Sequence, residues 1–120
     1  MKISENFDRS EFKCACGCGF DTVDAELLEI LEDLRYYFRR PVIITSAARC
    51  RKHNSSPEVG SNDNSQHCLG KAADIRINGE PPMHVAEYLE NRYPRSCGIG
   101  RYSDFTHIDS RDEKARWSNV

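Results

Sequence analysis

Pro41 separates two hydrophobic periods that cannot belong to the same element. Before it, Val23, Leu27, Leu31, Leu34 and Phe38 recur at steps of four, four, three and four, the apolar stripe of an amphipathic helix of about four turns. Asp21 or Thr22 can cap the start of that helix. Pro41 cannot extend it, because proline offers no N–H and its ring collides with the carbonyl one turn back. Directly after Pro41, Val42-Ile43-Ile44-Thr45 is a β-branched run bounded by turn-like residues, which reads as a buried strand. A helix and a strand that each hide an apolar face must share a core, so the chain needs both kinds of element in one packing unit.

The remaining pattern extends that beginning. Residues 50–66 contain Pro57, Gly60 and many Ser and Asn, and read as a loop of the kind that carries function on a rigid scaffold. Ala72-Ala73-Asp74-Ile75-Arg76-Ile77 alternates in the strand manner, with Ala73, Ile75 and Ile77 on one face and Asp74 and Arg76 on the other. Asp74 is thereby expected to point away from the core. Pro81-Pro82 opens a second helix with Val85, Ala86, Leu89 and Tyr93 as its buried stripe. Gly98 to Tyr102 and Phe105 to Arg111 read as two more short strands, and Phe7, Phe12 and Phe20 as core anchors beneath an irregular opening segment. The expected class is α+β, a small antiparallel sheet with flanking helices. At 120 residues the chain suffices for a single domain, 1–120, and is too short for two ordinary ones.

Charge narrows the functions available. Lys and Arg total 17 against 19 Asp and Glu, and the basic residues form no block, which argues against a nucleic-acid partner. The opening Met1 to Asp8 has no apolar run, so neither a secretory signal nor a membrane segment is expected there. The expectation is a monomer made in the cytoplasm that reaches any outside target by phage-type release or delivery. Six cysteines in a chain without a signal are less often disulfides than thiols or metal ligands. Cys14, Cys16 and Cys18 alternate more tightly than most zinc knuckles. Structural thiols, a second metal cluster, and a redox link to Cys50, Cys68 or Cys97 all remain open.

The chemistry-bearing constellation lies further on. In Ser65-Gln66-His67-Cys68-Leu69-Gly70-Lys71-Ala72-Ala73-Asp74 an imidazole and a carboxylate stand seven positions apart, separated by a Gly that lets the chain turn and by small Ala residues that allow close packing. Downstream, Phe105-Thr106-His107-Ile108-Asp109 puts His107 and Asp109 on one face of a short strand and Ile108 on the other. Two imidazole nitrogens and one carboxylate oxygen leave the fourth tetrahedral position for water, the pattern of catalytic rather than structural zinc. His53 and His84 have no partners at ligand spacing and read as solvated. Trp117 reads as a packing residue that covers the core near the chain end.

Ser65, His67, Gly70, Ala72 and Asp74, in the order Ser-x-His-x-x-Gly-x-Ala-x-Asp, with a later His preceded by an acidic residue, resemble the zinc D-alanyl-D-alanine carboxypeptidases and related phage endolysins. The vancomycin-resistance dipeptidases and the hedgehog signalling domain share that metal scaffold. The resemblance runs from about Phe7 to Trp117 and implies that His67, Asp74 and His107 hold Zn2+. It implies a proton-transfer role for Asp104, three positions ahead of His107, and a substrate-binding or carbonyl-polarising role for Arg49. Here the family's Ser-Gly-Tyr-Arg reads Ser46-Ala47-Ala48-Arg49. Asp109 is expected to orient an imidazole or an Arg from behind, and Ser65 to hydrogen-bond near the metal. The implied function is a zinc metallopeptidase acting on peptidoglycan stem peptides. Two alternatives accompany it: a non-catalytic zinc-holding binding or phage virion module on the same scaffold, and a protein whose main site is its cysteines.

Overall fold

A computed structural model of the chain describes residues 1–50, 54 and 65–120. His53 and most of the expected loop fall outside the described residues. The elements are α1 (Ala25–Phe38), β1 (Val42–Ser46), β2 (Ala72–Ile77), α2 (Pro82–Arg92), β3 (Gly98–Tyr102), β4 (Thr106–Asp109) and β5 (Ala115–Asn119), with short 3-10 turns at Arg9–Phe12 and Gln66–Leu69. The strands form one sheet in the order β1-β2-β4-β3-β5. The class is α+β, but the sheet is mixed rather than purely antiparallel, because β5 lies parallel to β3 along its outer edge.

The helix begins later than the first possible caps suggest. Asp24 is the N-cap, its side chain accepting from Leu27 N–H, while its own N–H donates to Gly70 O (2.8 Å) and its carboxylate accepts from Ser110 Oγ (2.7 Å). Three attachments fix the helix start there rather than at Asp21 or Thr22. Leu27, Ile30, Leu31 and Leu34 are buried along α1, and Val85, Ala86 and Leu89 along α2. These meet Ala73, Ile75, Ile77, Ile99 and Ile108 from the sheet, together with Phe7 and Phe12, in one core. Burial of that apolar surface is the main favourable term in folding.

Two anchors differ from expectation. Phe20 is only half-buried, since the chain turns outward through the cysteine segment before it. β1 is an edge strand with partly exposed positions, so its β-branched run reflects strand preference and one covered face.

β5 has no counterpart in the sequence reading. Ala115-Arg116-Trp117-Ser118-Asn119 shows little apolar alternation. Side-chain hydrogen bonds hold it instead: the Arg116 guanidinium donates to Cys97 O (2.7 Å) and Tyr93 O (2.7 Å). Among the described residues no helix is long and apolar enough to cross a membrane.

Candidate metal centre

The sheet face opposite the core carries one transverse row of residues. Ser46 pairs with Asp74, Asp74 with His107, His107 with Gly100 and Gly100 with Trp117. Directly opposed residues project to the same side of a sheet, so backbone pairing alone brings Asp74 beside His107. His67 arrives from outside the sheet on the 3-10 turn, where Ser65 Oγ accepts from His67 N–H (3.2 Å). Gly70 then ends the turn with φ +70°. A Cβ at Gly70 would come within 2.6 Å of Thr22 O, so both its backbone angle and its surroundings require glycine.

The donor atoms converge. His107 Nδ1 stands 3.1 Å from Asp74 Oδ1 and His67 Nε2 stands 3.5 Å from the same oxygen, and one ligand atom from each residue lies within 4.8 Å of the others. An ion held at about 2.0–2.2 Å by N and O ligands in a tetrahedron needs donors about 3.3–3.6 Å apart. The His67–Asp74 separation falls in that range and the His107–Asp74 separation is slightly shorter, and all three residues are buried.

Each ring is also held from behind. His67 Nδ1–H donates to Ala47 O (2.6 Å), and His107 Nε2–H donates to Asp109 Oδ2 (2.8 Å). With a proton fixed on the far nitrogen, the near nitrogen is the one that would give up its proton and turn a lone pair to an ion at the shared centre. Asp109 is fully buried; its Oδ1 accepts from Gly98 N–H (2.9 Å), Arg111 N–H (3.2 Å) and Arg111 Nε (2.8 Å), and its Oδ2 accepts from Arg111 NH2 (2.8 Å). Gly98 is needed for this seat, because a Cβ there would land on the Asp109 carboxylate.

Charges follow from these contacts. Burial would raise the Asp74 carboxyl, but hydrogen bonds from His107 and His67 hold it well below the ordinary carboxylate range. Burial works the same way on Asp109, and His107 and Arg111 outweigh it, so its pKa is lowered too. For His107, burial disfavours the charged ring, while hydrogen bonds to Asp109 and Asp74 prevail and raise its pKa.

The other expected site residues take varied places. Arg49 is buried; its NH2 donates to Asp74 Oδ2 (3.1 Å), its Nε to Ser46 Oγ (3.1 Å) and its NH1 to Asn54 Oδ1 (3.4 Å). Asp74 thus offers Oδ1 to the two rings and Oδ2 to the guanidinium. Asp104 is exposed in the bend between β3 and β4 and is not part of the converging trio. His84 is exposed beside Glu80 (3.7 Å).

Trp117 was expected over the core, yet it lies on the site face. Its ring centroid is 4.9 Å from that of His107 and its Nε1–H donates to Tyr102 OH (2.9 Å). Gly100 makes the space, since a Cβ there would meet the indole at 2.5 Å. Sequence reasoning had no means of placing Trp117 there without the parallel pairing of β5.

Two imidazoles and one carboxylate gathered beside one sheet face make a donor set that could hold a metal ion. The family model described as Peptidase M15 matches residues 5–109, and the chain belongs to that peptidase family. M15 peptidases are typically zinc-dependent. No curated protein matches the chain.

Proposed function

We propose that this chain is a zinc metallopeptidase that hydrolyses peptidoglycan stem peptides, either as a D-alanyl-D-alanine carboxypeptidase or as an endolysin-type endopeptidase. The observation that carries the reading is the convergence of His67 Nε2, Asp74 Oδ1 and His107 Nδ1, with both rings oriented from behind, in a chain of the M15 peptidase family. When bound, zinc supplies a Lewis acid for a scissile carbonyl and lowers the pKa of coordinated water to about 7.

The protein's own residues supply the rest. Asp109 and the Ala47 carbonyl keep the two imidazoles in the tautomers that present free lone pairs. Arg49 fixes Asp74 through Oδ2, so a substrate carboxylate drawn to this guanidinium must share it with Asp74. Ser65 caps the turn that carries His67. The Asp104 carboxylate accepts a proton from the attacking water and delivers it to the leaving amine.

The exposure of Asp104, outside the trio, favours a second reading in which the same scaffold holds zinc in a binding or virion module without hydrolysis. The deciding experiment incubates zinc-loaded protein with purified wall peptides and identifies the fragments by mass spectrometry. The peptidase reading expects stem-peptide cleavage that disappears in His67→Ala. It also expects Asp104→Ala to retain zinc and to lose about a hundredfold or more in rate. Zinc-loaded wild type that leaves every wall peptide intact supports the binding module. Unchanged hydrolysis in Asp104→Ala removes Asp104 from the mechanism.

A further inference from the structure

A second constellation lies outside the proposed peptidase centre. The Sγ atoms of Cys14, Cys16, Cys18 and Cys50 lie within 4.8 Å of one another. The individual separations are 3.4 Å for Cys14–Cys16, 3.9 Å for Cys14–Cys50 and 3.6 Å for Cys16–Cys50. A disulfide would need about 2.05 Å. A tetrahedron of thiolates at about 2.3 Å from one ion has edges of about 3.8 Å, close to what is observed. At these separations the sulfurs are not bonded to one another.

The backbone accounts for a spacing tighter than ordinary zinc knuckles. Gly17 and Gly19 have φ +84° and +91°, a region that L side chains rarely enter. Gly17 N–H donates to Cys14 O (3.2 Å), closing a turn between the first two thiols. Left-handed steps at every second residue gather alternating cysteines that an extended chain would also align but could not wrap round a point. Cys50 then arrives from the segment after β1, and its N–H donates to Cys14 Sγ (3.5 Å), the kind of contact that stabilises a thiolate. Cys16 and Cys18 are exposed, so the surplus negative charge of four thiolates round a divalent ion borders water.

We propose that Cys14, Cys16, Cys18 and Cys50 form a structural zinc site independent of the histidine centre. Soft thiolates in a closed tetrahedral set select such an ion and leave no open position for substrate. Each cysteine gives its thiol proton to solvent as its sulfur binds. The ion ties the opening segment to the residue that follows Arg49, beside a backbone bond from Ala48 N–H to Phe12 O (3.0 Å). That same stretch supplies the Ala47 carbonyl that orients His67 and the Arg49 N–H that donates to His67 O (3.1 Å). The site therefore braces the loop on which the peptidase centre leans.

The test measures metal content and cobalt spectra of the full chain, purified with reductant and without chelator. Wild type is expected to carry two zinc ions per chain, and Cys16→Ser/Cys18→Ser one. His67→Ala/His107→Ala is also expected to carry one, and on cobalt replacement to keep the near-ultraviolet sulfur-to-metal charge-transfer band. The histidine variant serves even if the cysteine variant fails to fold. A wild type with one zinc and no charge-transfer band overturns the proposal, as does a mass lower by pairs of hydrogens, which marks disulfides. Failure of the histidine-centre reading would leave the thiolate band in place, so the two failures are distinguishable.

Discussion

Asp109→Asn changes one atom of a fully buried side chain and tests how far the histidine centre depends on its support. Five N–H donors face the two Asp109 oxygens: His107 Nε2 and Arg111 NH2 at Oδ2, and Gly98 N, Arg111 N and Arg111 Nε at Oδ1. None of those contacts offers the new amide an acceptor, unless His107 moves its proton. If the amide faces His107, the ring can accept at Nε2 only by carrying its hydrogen on Nδ1, the atom 3.1 Å from Asp74, and the metal loses that lone pair. If the amide faces Gly98 and Arg111, three donors oppose two others. Loss of a partner behind a ligating imidazole costs about 10–100-fold in metal affinity, about 1.4–2.7 kcal/mol at 1.36 kcal/mol per factor of ten. The upper half of that range is expected, because both amide orientations are penalised. Competition with a chromophoric chelator gives the affinity, and circular dichroism with thermal melting checks that the variant folds. A folded Asp109→Asn variant that binds zinc within about twofold of wild type refutes the orienting role.

Gly70→Ala combines φ +70° with a Cβ 2.6 Å from Thr22 O and should destabilise the protein by about 2 kcal/mol or more in denaturant melts; an unchanged midpoint contradicts the close approach. Gly100→Ala pushes on the Trp117 indole at 2.5 Å, and since Trp117 is the single tryptophan, its emission should shift; identical spectra would mean that the ring does not lie against Gly100. Stripped of metal, the protein has a defined pH window. Asp74 and Asp109 ionise below their ordinary 3.8 in the fold, so their stabilisation is complete above 3.8 and is lost as pH falls through their folded values. His107 is raised above 6.5, so its share is complete below 6.5 and is lost as pH rises through its folded value. Melts in chelator should peak between those limits, and a maximum at alkaline pH would refute the assignment.

The helical stripes were legible because Leu27, Leu31 and Leu34, and likewise Val85 and Leu89, repeat at the spacing of a buried helix face. The alternation of residues 72–77 set Ala73, Ile75 and Ile77 against Asp74, and the core lies where that pattern puts it. The helix start was less legible, since the choice among Asp21, Thr22 and Asp24 is made by Gly70 and Ser110, which are distant in sequence. β5 was hidden for the same reason: its alignment rests on Arg116 reaching backbone carbonyls and on its partner β3, and neither leaves a periodic trace. Trp117 was therefore misplaced with it. Within the candidate centre, residue types and spacing named His67, Asp74 and His107, while Arg49 gripping Asp74 and the Ala47 carbonyl behind His67 are tertiary contacts with no local signature.

The pairing of Asp74 with His107 across β2 and β4 ties the donor set to strand alignment. A slip of one residue between those strands would turn His107 toward the helix side and scatter the ligands, because successive side chains alternate faces. An ion bound by this set consequently stabilises only chains whose strands have joined in the native alignment. Metal binding here would act as a proofreading step during folding, favouring the native pairing over its nearest competitor.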